Sequence, residues 1–207
     1  MKRVFLFVAM FLIGASVVKS SPYQAQLSFG YRPQITTSFI DFPFLSSWDG
    51  FVDVPVLGLR FSKSIYDEWY LTGNYRYFFK TSGLDAGNDV SLNYHLITVG
   101  PYYRSPTTDG ESFFINLYGG FGFSYTEFSI DIGNAVDSFT RYEPALVGII
   151  GFEKMIIKNF SVTAEVTYNA LYSVVKGELG QSATPFETTV NVNGLDISFG
   201  VAYQFEM

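Results

Sequence analysis

Beyond residue 20 the chain alternates between apolar and polar positions with a period of two, the signature of strands with two different faces. In "YQAQLSFGYR" one face carries Tyr23, Ala25, Leu27, Phe29 and Tyr31, and the other Gln24, Gln26, Ser28, Gly30 and Arg32. "EWYLTGNYRYFFK" sets Trp69, Leu71, Tyr75, Tyr77 and Phe79 against Tyr70, Thr72, Asn74 and Arg76. The same division recurs in "SFFINLYGGFGFSY", with Phe113, Ile115, Leu117, Phe121 and Phe123 on the apolar side. "FSVTAEVTYNALY" and the terminal "LDISFGVAYQFE" repeat it, the latter with Leu195, Ile197, Phe199, Val201, Tyr203 and Phe205 in phase.

Three further strands, at 52–62, 90–103 and 142–153, are blurred by Pro55, Pro101 and Pro144, because proline donates nothing to a ladder. In "YHLITVGPYYR" both phases are apolar, so the face occupied by His95 stays open. The total is about eight strands of the length a tilted membrane strand requires. The connections between them alternate. Long ones are expected at 33–51, 80–89, 127–141 and 174–189, and short ones at 63–67, 104–111 and 154–159. Antiparallel up-and-down strands put alternate connections at opposite ends, so one end has tight turns and the other long loops. An even strand count places both chain ends at the tight-turn end.

Composition sharpens this picture. The first residues, "MKRVFLFVAMFLIGASVVKSS", join Lys2 and Arg3 to an apolar stretch at 4–18 that is short for a membrane-spanning helix. They are expected to be an export signal over residues 1–20, cut before Ser21 and leaving one domain, 21–207. A retained N-terminal anchor is the alternative. Without cysteine there is no disulfide framework and no thiolate chemistry. Beyond Ser20, ten basic residues face nineteen acidic ones, a net charge of −9. Nucleic acid is therefore not an expected partner, since binding phosphates takes clustered Lys and Arg. Aromatic residues make up 19% of the chain, more than a soluble core of this size needs, so part of them must face something other than water.

Alternation alone does not say which face is outside. A soluble lipocalin-like barrel would turn the apolar face inward around a ligand. Two features favour the inverse arrangement, apolar side outward into lipid. The polar face mixes small polar residues with charges of both signs, including Arg60, Arg76, Glu165, Asp196 and also Arg104, Glu143 and Glu153. Such groups suit a narrow lumen in which they satisfy one another. Aromatics also gather near strand ends, as in the girdles of membrane barrels.

"HLITVGPYYR" followed by a tight turn and "FFINLYGGFGFSY" resembles the fourth and fifth strands of the small eight-stranded outer-membrane barrels of the OmpX/Ail and OmpA-domain type. "GFEKMIIKNFSVTAEVTYN" is similar to their sixth strand, turn and seventh. The last strand resembles the signal by which the outer-membrane assembly machinery recognises its substrates, with Gly200, Tyr203 and Phe205 at the marked positions. The resemblance implies a closed, antiparallel, up-and-down transmembrane β-barrel with short periplasmic turns and long outer loops. It also implies the outer membrane of a Gram-negative-type bacterium. The implied partners are outer-membrane lipids and lipopolysaccharide, with the assembly machinery and periplasmic chaperones during biogenesis.

Candidate sites are few. Arg60, Arg76, Glu165 and Asp196 are expected to form an interior polar network; a gating role for Arg76 with Glu165 is the alternative. Some small barrels modify lipid A, but a serine hydrolase needs a nucleophile within reach of its base. The one histidine, His95, has Ile97 rather than serine two positions on. No catalytic, metal or cofactor residues are expected. The expected long loops are each net acidic, which disfavours binding of polyanions such as heparin. "FIDFPFLSSW" (Phe39, Phe42, Phe44, Trp48) reads equally as a loop cap at the lipid interface or a binding surface. The function expected is a non-enzymatic surface or structural role through outer loops. A narrow channel or hydrophobic-solute conduit and a lipid-A-modifying enzyme are the alternatives.

Overall fold

A computed structural model describes residues 22–40, 50–83, 89–107, 112–132, 135–170, 173–179 and 184–206. The expected export signal lies outside these residues, as do Phe42, Phe44 and Trp48. Ten strands are described: β1 (Pro22–Ile40), β2 (Gly50–Tyr66), β3 (Trp69–Gly83), β4 (Asp89–Pro106), β5 (Phe113–Ile132), β6 (Ala135–Ile157), β7 (Phe160–Ala170), β8 (Ser173–Leu179), β9 (Thr184–Asn191) and β10 (Gly194–Glu206). Eight of them close a ring in which β1 to β7 follow one another and β10 joins β7 back to β1. Every pairing is antiparallel. The seam runs from Pro22 opposite Glu206 to Tyr31 opposite Ile197, so neither strand is left as an edge there.

Turns at one end are tight. Asp67–Glu68 joins β2 to β3 and Lys158–Asn159 joins β6 to β7. Asp67 (φ 40°) and Asn159 (φ 69°) sit in the left-handed region, which short polar side chains tolerate best after glycine.

At the other end the strands run on well past the 9–11 residues that cross a bilayer. β5 has 20 residues and β6 has 23. In the segments expected as long loops at 33–51, 80–89 and 127–141, the residues described (33–40, 50–51, 80–83, 89, 127–132 and 135–141) are therefore strand. The fourth, 174–189, holds the β8–β9 hairpin, whose β9 pairs with the upper part of β1 (Thr36 opposite Asn191 to Ile40 opposite Glu187).

A reversal of environment explains the mismatch. In the lower wall the outward side chains are apolar and exposed, among them Leu27, Phe29, Leu59, Ile97, Phe121, Ile150 and Phe199, while the inward ones are polar. Tyr75, Tyr77, His95, Tyr125 and Tyr142 then form a belt around consecutive strands, cross-linked through Tyr77 opposite His95 and His95 opposite Tyr125. Above that belt the outward positions become Asn93, Ser91 and Asp89 on β4 and Glu127, Ser129 and Asp131 on β5. The inward positions there become Val90, Leu92 and Tyr94, and Phe128 and Ile130, all buried.

On β4 and β5 the period of two runs unbroken through the belt, whereas on β1 and β2 it slips by one where Pro33 and Gln34, and Val52 and Asp53, are exposed side by side. In both cases the apolar face moves from outside to inside, as expected of a lower wall in lipid and an upper collar in water. Ile35, Phe51, Val54, Phe78 and Val192 complete the collar's apolar core. A reading that follows one apolar face sees it end at the belt and takes the remainder for loop. The ambiguous "YHLITV" is the crossover itself.

Candidate functional site in the lumen and at the seam

The inward residues of the lower wall stack in three charged levels. Nearest the tight turns, Arg104 grips Glu153 with two hydrogen bonds, Nε to Oε2 at 3.0 Å and Nη2 to Oε1 at 2.9 Å. Gln24 (3.1 Å) and Asn116 (3.4 Å) donate to the same carboxylate. The Arg104 guanidinium also lies 3.4 Å from the centre of the Phe114 ring.

At the middle level Arg60 donates to both oxygens of Glu165, at 2.8 and 2.9 Å, and Gln26 adds a bond of 2.9 Å. Arg60 lies between the rings of Tyr102 and Tyr118, 5.2 and 5.8 Å from their centres. At the upper level Asp196 is shared by Arg32 and by Arg76, whose Nη2 is 3.3 Å from it. Asn169 donates to Asp196 at 2.8 Å, and Arg76 donates to the Thr167 hydroxyl at 2.6 Å. Arg32 also reaches the Val192 carbonyl and lies over Phe78, tying this level to the apolar core above.

All seven ionic side chains are buried. Bidentate pairing with further hydrogen bonds to each carboxylate is the arrangement in which buried charge is tolerated. Of the residues expected to share a network, Arg60 meets Glu165 and Arg76 meets Asp196. Arg76 and Glu165 do not pair with each other, so the two-residue gate envisaged for them is not what the geometry builds. The sequence puts Arg32, Arg104 and Glu153 on the polar face but outside the four-residue network. Their signal is the same inward phase, which does not say which residues pair.

His95 points outward. Its Nδ1 is 2.8 Å from the Tyr75 hydroxyl and its ring stacks on Tyr77 with centres 4.6 Å apart. Its described contacts are tyrosines of the belt, with no hydroxyl nucleophile other than a phenol among them.

The residues of the terminal strand meet β1 and β2. Phe205 stacks on Tyr23 (5.8 Å) and lies near Phe61 (6.2 Å) and Tyr203 (6.1 Å), an aromatic cluster that fastens the seam at the tight-turn end. A Cβ on Gly200 would fall 2.4 Å from the Leu27 carbonyl oxygen and 2.9 Å from Thr163 Oγ1. Glycine at 200 thus lets the last strand close against the first.

An apolar outer wall, an aromatic belt, a polar lumen of paired charges and a closed ring define a transmembrane β-barrel of the outer-membrane kind. The family profile of the Outer membrane protein beta-barrel domain matches residues 5–205, and the chain belongs to that family. Among solved structures, the outer membrane protein OprG of Pseudomonas aeruginosa is similar at 20% identity and TM-score 0.59, covering 90% of this chain and 97% of that one. A major outer membrane protein of Thermus thermophilus aligns at 8% identity and TM-score 0.56, over 89% and 99% of the two chains. Ail of Yersinia pestis, solved with the heparin analogue sucrose octasulfate, aligns at 14% identity and TM-score 0.53, over 90% and 100%. At these identities the likeness is one of fold. No curated protein matches the chain.

Proposed function

We propose that this protein is a non-enzymatic barrel of a Gram-negative-type outer membrane, closed to solutes, that acts through its water-facing collar and outer loops. The observation that carries this reading is the double closure of the lumen. Three buried ionic levels fill the membrane section, and the apolar core of Ile35, Phe51, Phe78, Val90, Leu92, Phe128 and Ile130 fills the collar above them. An eight-stranded barrel has little room beyond what its side chains occupy. In this reading residues 1–20 are a cleaved export signal, and Gly200, Tyr203 and Phe205 mark the last strand for the assembly machinery. Outer-membrane lipids and lipopolysaccharide surround the wall.

The collar's outward acids, Asp89, Glu127 and Asp131, argue against the polyanion binding suggested by the Ail complex, because no basic patch is present there among the described residues. His95, set among tyrosines, gives no support to lipid-A chemistry. Planar-bilayer recording tests the proposal. Purified protein inserted in a phospholipid bilayer is expected to give no reproducible single-channel steps. Steps of constant size would replace this reading with that of a narrow channel.

A further inference from the structure

On the lipid-facing wall, β5 and β6 place Gly119 directly opposite Gly148. A Cβ added at either would meet nothing within 4 Å. The fold does not require glycine at these two positions, whereas it does at the adjacent inward Gly120, where a Cβ would strike the Tyr118 hydroxyl at 2.1 Å. Unneeded glycines weaken a strand, so an outward pair calls for another explanation. The pair floors a trough of about 650 Å³. Leu117 opposite Ile150 forms one bank, and Phe121 opposite Leu146 the next row on the other side. Trp69 and Tyr168 stand towards its two ends.

We propose that this trough is a binding site for one acyl chain of a phospholipid from the leaflet at the tight-turn end. The inference rests on the wall being membrane-embedded, and three observations choose this occupant. First, the trough is lined by aliphatic and aromatic side chains below the belt of tyrosines, at a depth where hydrocarbon is the surroundings.

Second, it extends from β3 to β10 across five strand spacings, about 24 Å at ~4.8 Å each. A strand tilt of about 40° turns that length into roughly 15 Å of depth, one leaflet of a ~30 Å core. It begins beside Trp69 at the tight-turn end, where the indole N–H suits the headgroup level. Third, the trough curves around the barrel. A second copy, itself convex, would touch such a wall along a narrow line and could not follow it over six strands.

The full-length protein, reconstituted in nanodiscs of phosphatidylethanolamine and phosphatidylglycerol and released into mild detergent, provides the test by native mass spectrometry. Wild type is expected to retain one phospholipid. The double variant Gly119→Leu/Gly148→Leu fills the trough and is expected to retain about tenfold less, a difference of 1.4 kcal/mol. Gly73→Leu makes the same change at an outward glycine outside the trough, where a Cβ is also free of contacts. It is expected to behave as wild type.

Heat-modifiable migration of each variant reports barrel formation separately, so failure of the barrel reading and failure of the trough are told apart. If the double variant does not fold, Gly148→Leu alone carries the comparison. Equal retention by all variants, or no lipid on wild type, overturns the proposal. So does retention of lipopolysaccharide in place of phospholipid from native membranes, or a dimer that the double variant abolishes.

Discussion

Replacing Glu165 by glutamine tests whether the lumen is as dry as the ion pairs imply. The carboxylate accepts two bonds from Arg60, at 2.8 and 2.9 Å, and one from Gln26 at 2.9 Å, with both ionic side chains buried. The amide keeps one acceptor and turns a donor towards a guanidinium that can only donate. Arg60 then remains charged, buried and half-satisfied. Breaking a buried pair in this way costs about 3–5 kcal/mol.

The double variant Arg60→Met/Glu165→Leu removes both charges, and such replacements are often neutral or stabilising by about 1–4 kcal/mol. Equilibrium urea unfolding in phospholipid vesicles, followed by gel shift and fluorescence, is expected to rank the double variant near or above wild type and E165Q far below. A cost for E165Q under about 1 kcal/mol is the value of an exposed pair. That result would mean that water screens Arg60, and it would refute the closed lumen with it.

Three shorter predictions concern the seam and the collar. Gly200→Val puts a side chain against the Leu27 carbonyl and is expected to cost about 1–3 kcal/mol by overpacking, read as a lower urea midpoint. Tyr203→Ala with Phe205→Ala removes the outer half of the aromatic seam and is expected to lower assembled, heat-modifiable protein without reducing export past the inner membrane. Normal levels of the assembled form would overturn the assembly role. Phe128→Ala, which empties a fully buried collar position packed on Phe51 (ring centres 6.5 Å apart), is expected to cost about 3–5 kcal/mol. The loss should show in the collar as faster amide exchange at Val90 and Leu92, with the membrane strands unchanged.

The inward and outward assignment of the lower wall was readable from single residues. Gln24 to Arg32 and Ser161 to Asn169 alternate in the chain as they do in space, because lipid on one side and a packed lumen on the other constrain every second position. Two things were not readable. One was the extent of the strands above the belt, where Val90, Leu92 and Tyr94 look like a continuation of the lipid-facing residues and Glu127 and Asp131 look like loop. The other was who pairs with whom in the lumen. Arg76 reaches Asp196 rather than Glu165, and Arg32 is 164 positions from the carboxylate it binds. Those choices depend on the stagger accumulated around the ring, which no local pattern records.

A single closed sheet thus serves two solvents, and this sets where interaction with other molecules can occur. Below the belt, side chains that face outward are committed to lipid and those that face inward are packed around the buried ion pairs. Above it, the inward residues are committed to the collar core. What is left uncommitted among the described residues is the collar's outer surface, with Asp53, Asp89, Ser91 and Glu127 around it. Extending the strands past the membrane holds that surface on hydrogen-bonded backbone, and the apolar core beneath stiffens it. A protein needing only to cross the membrane would have no use for strands of 18–23 residues on β4, β5 and β6. Their length makes sense if the collar is the working part and the barrel its mount.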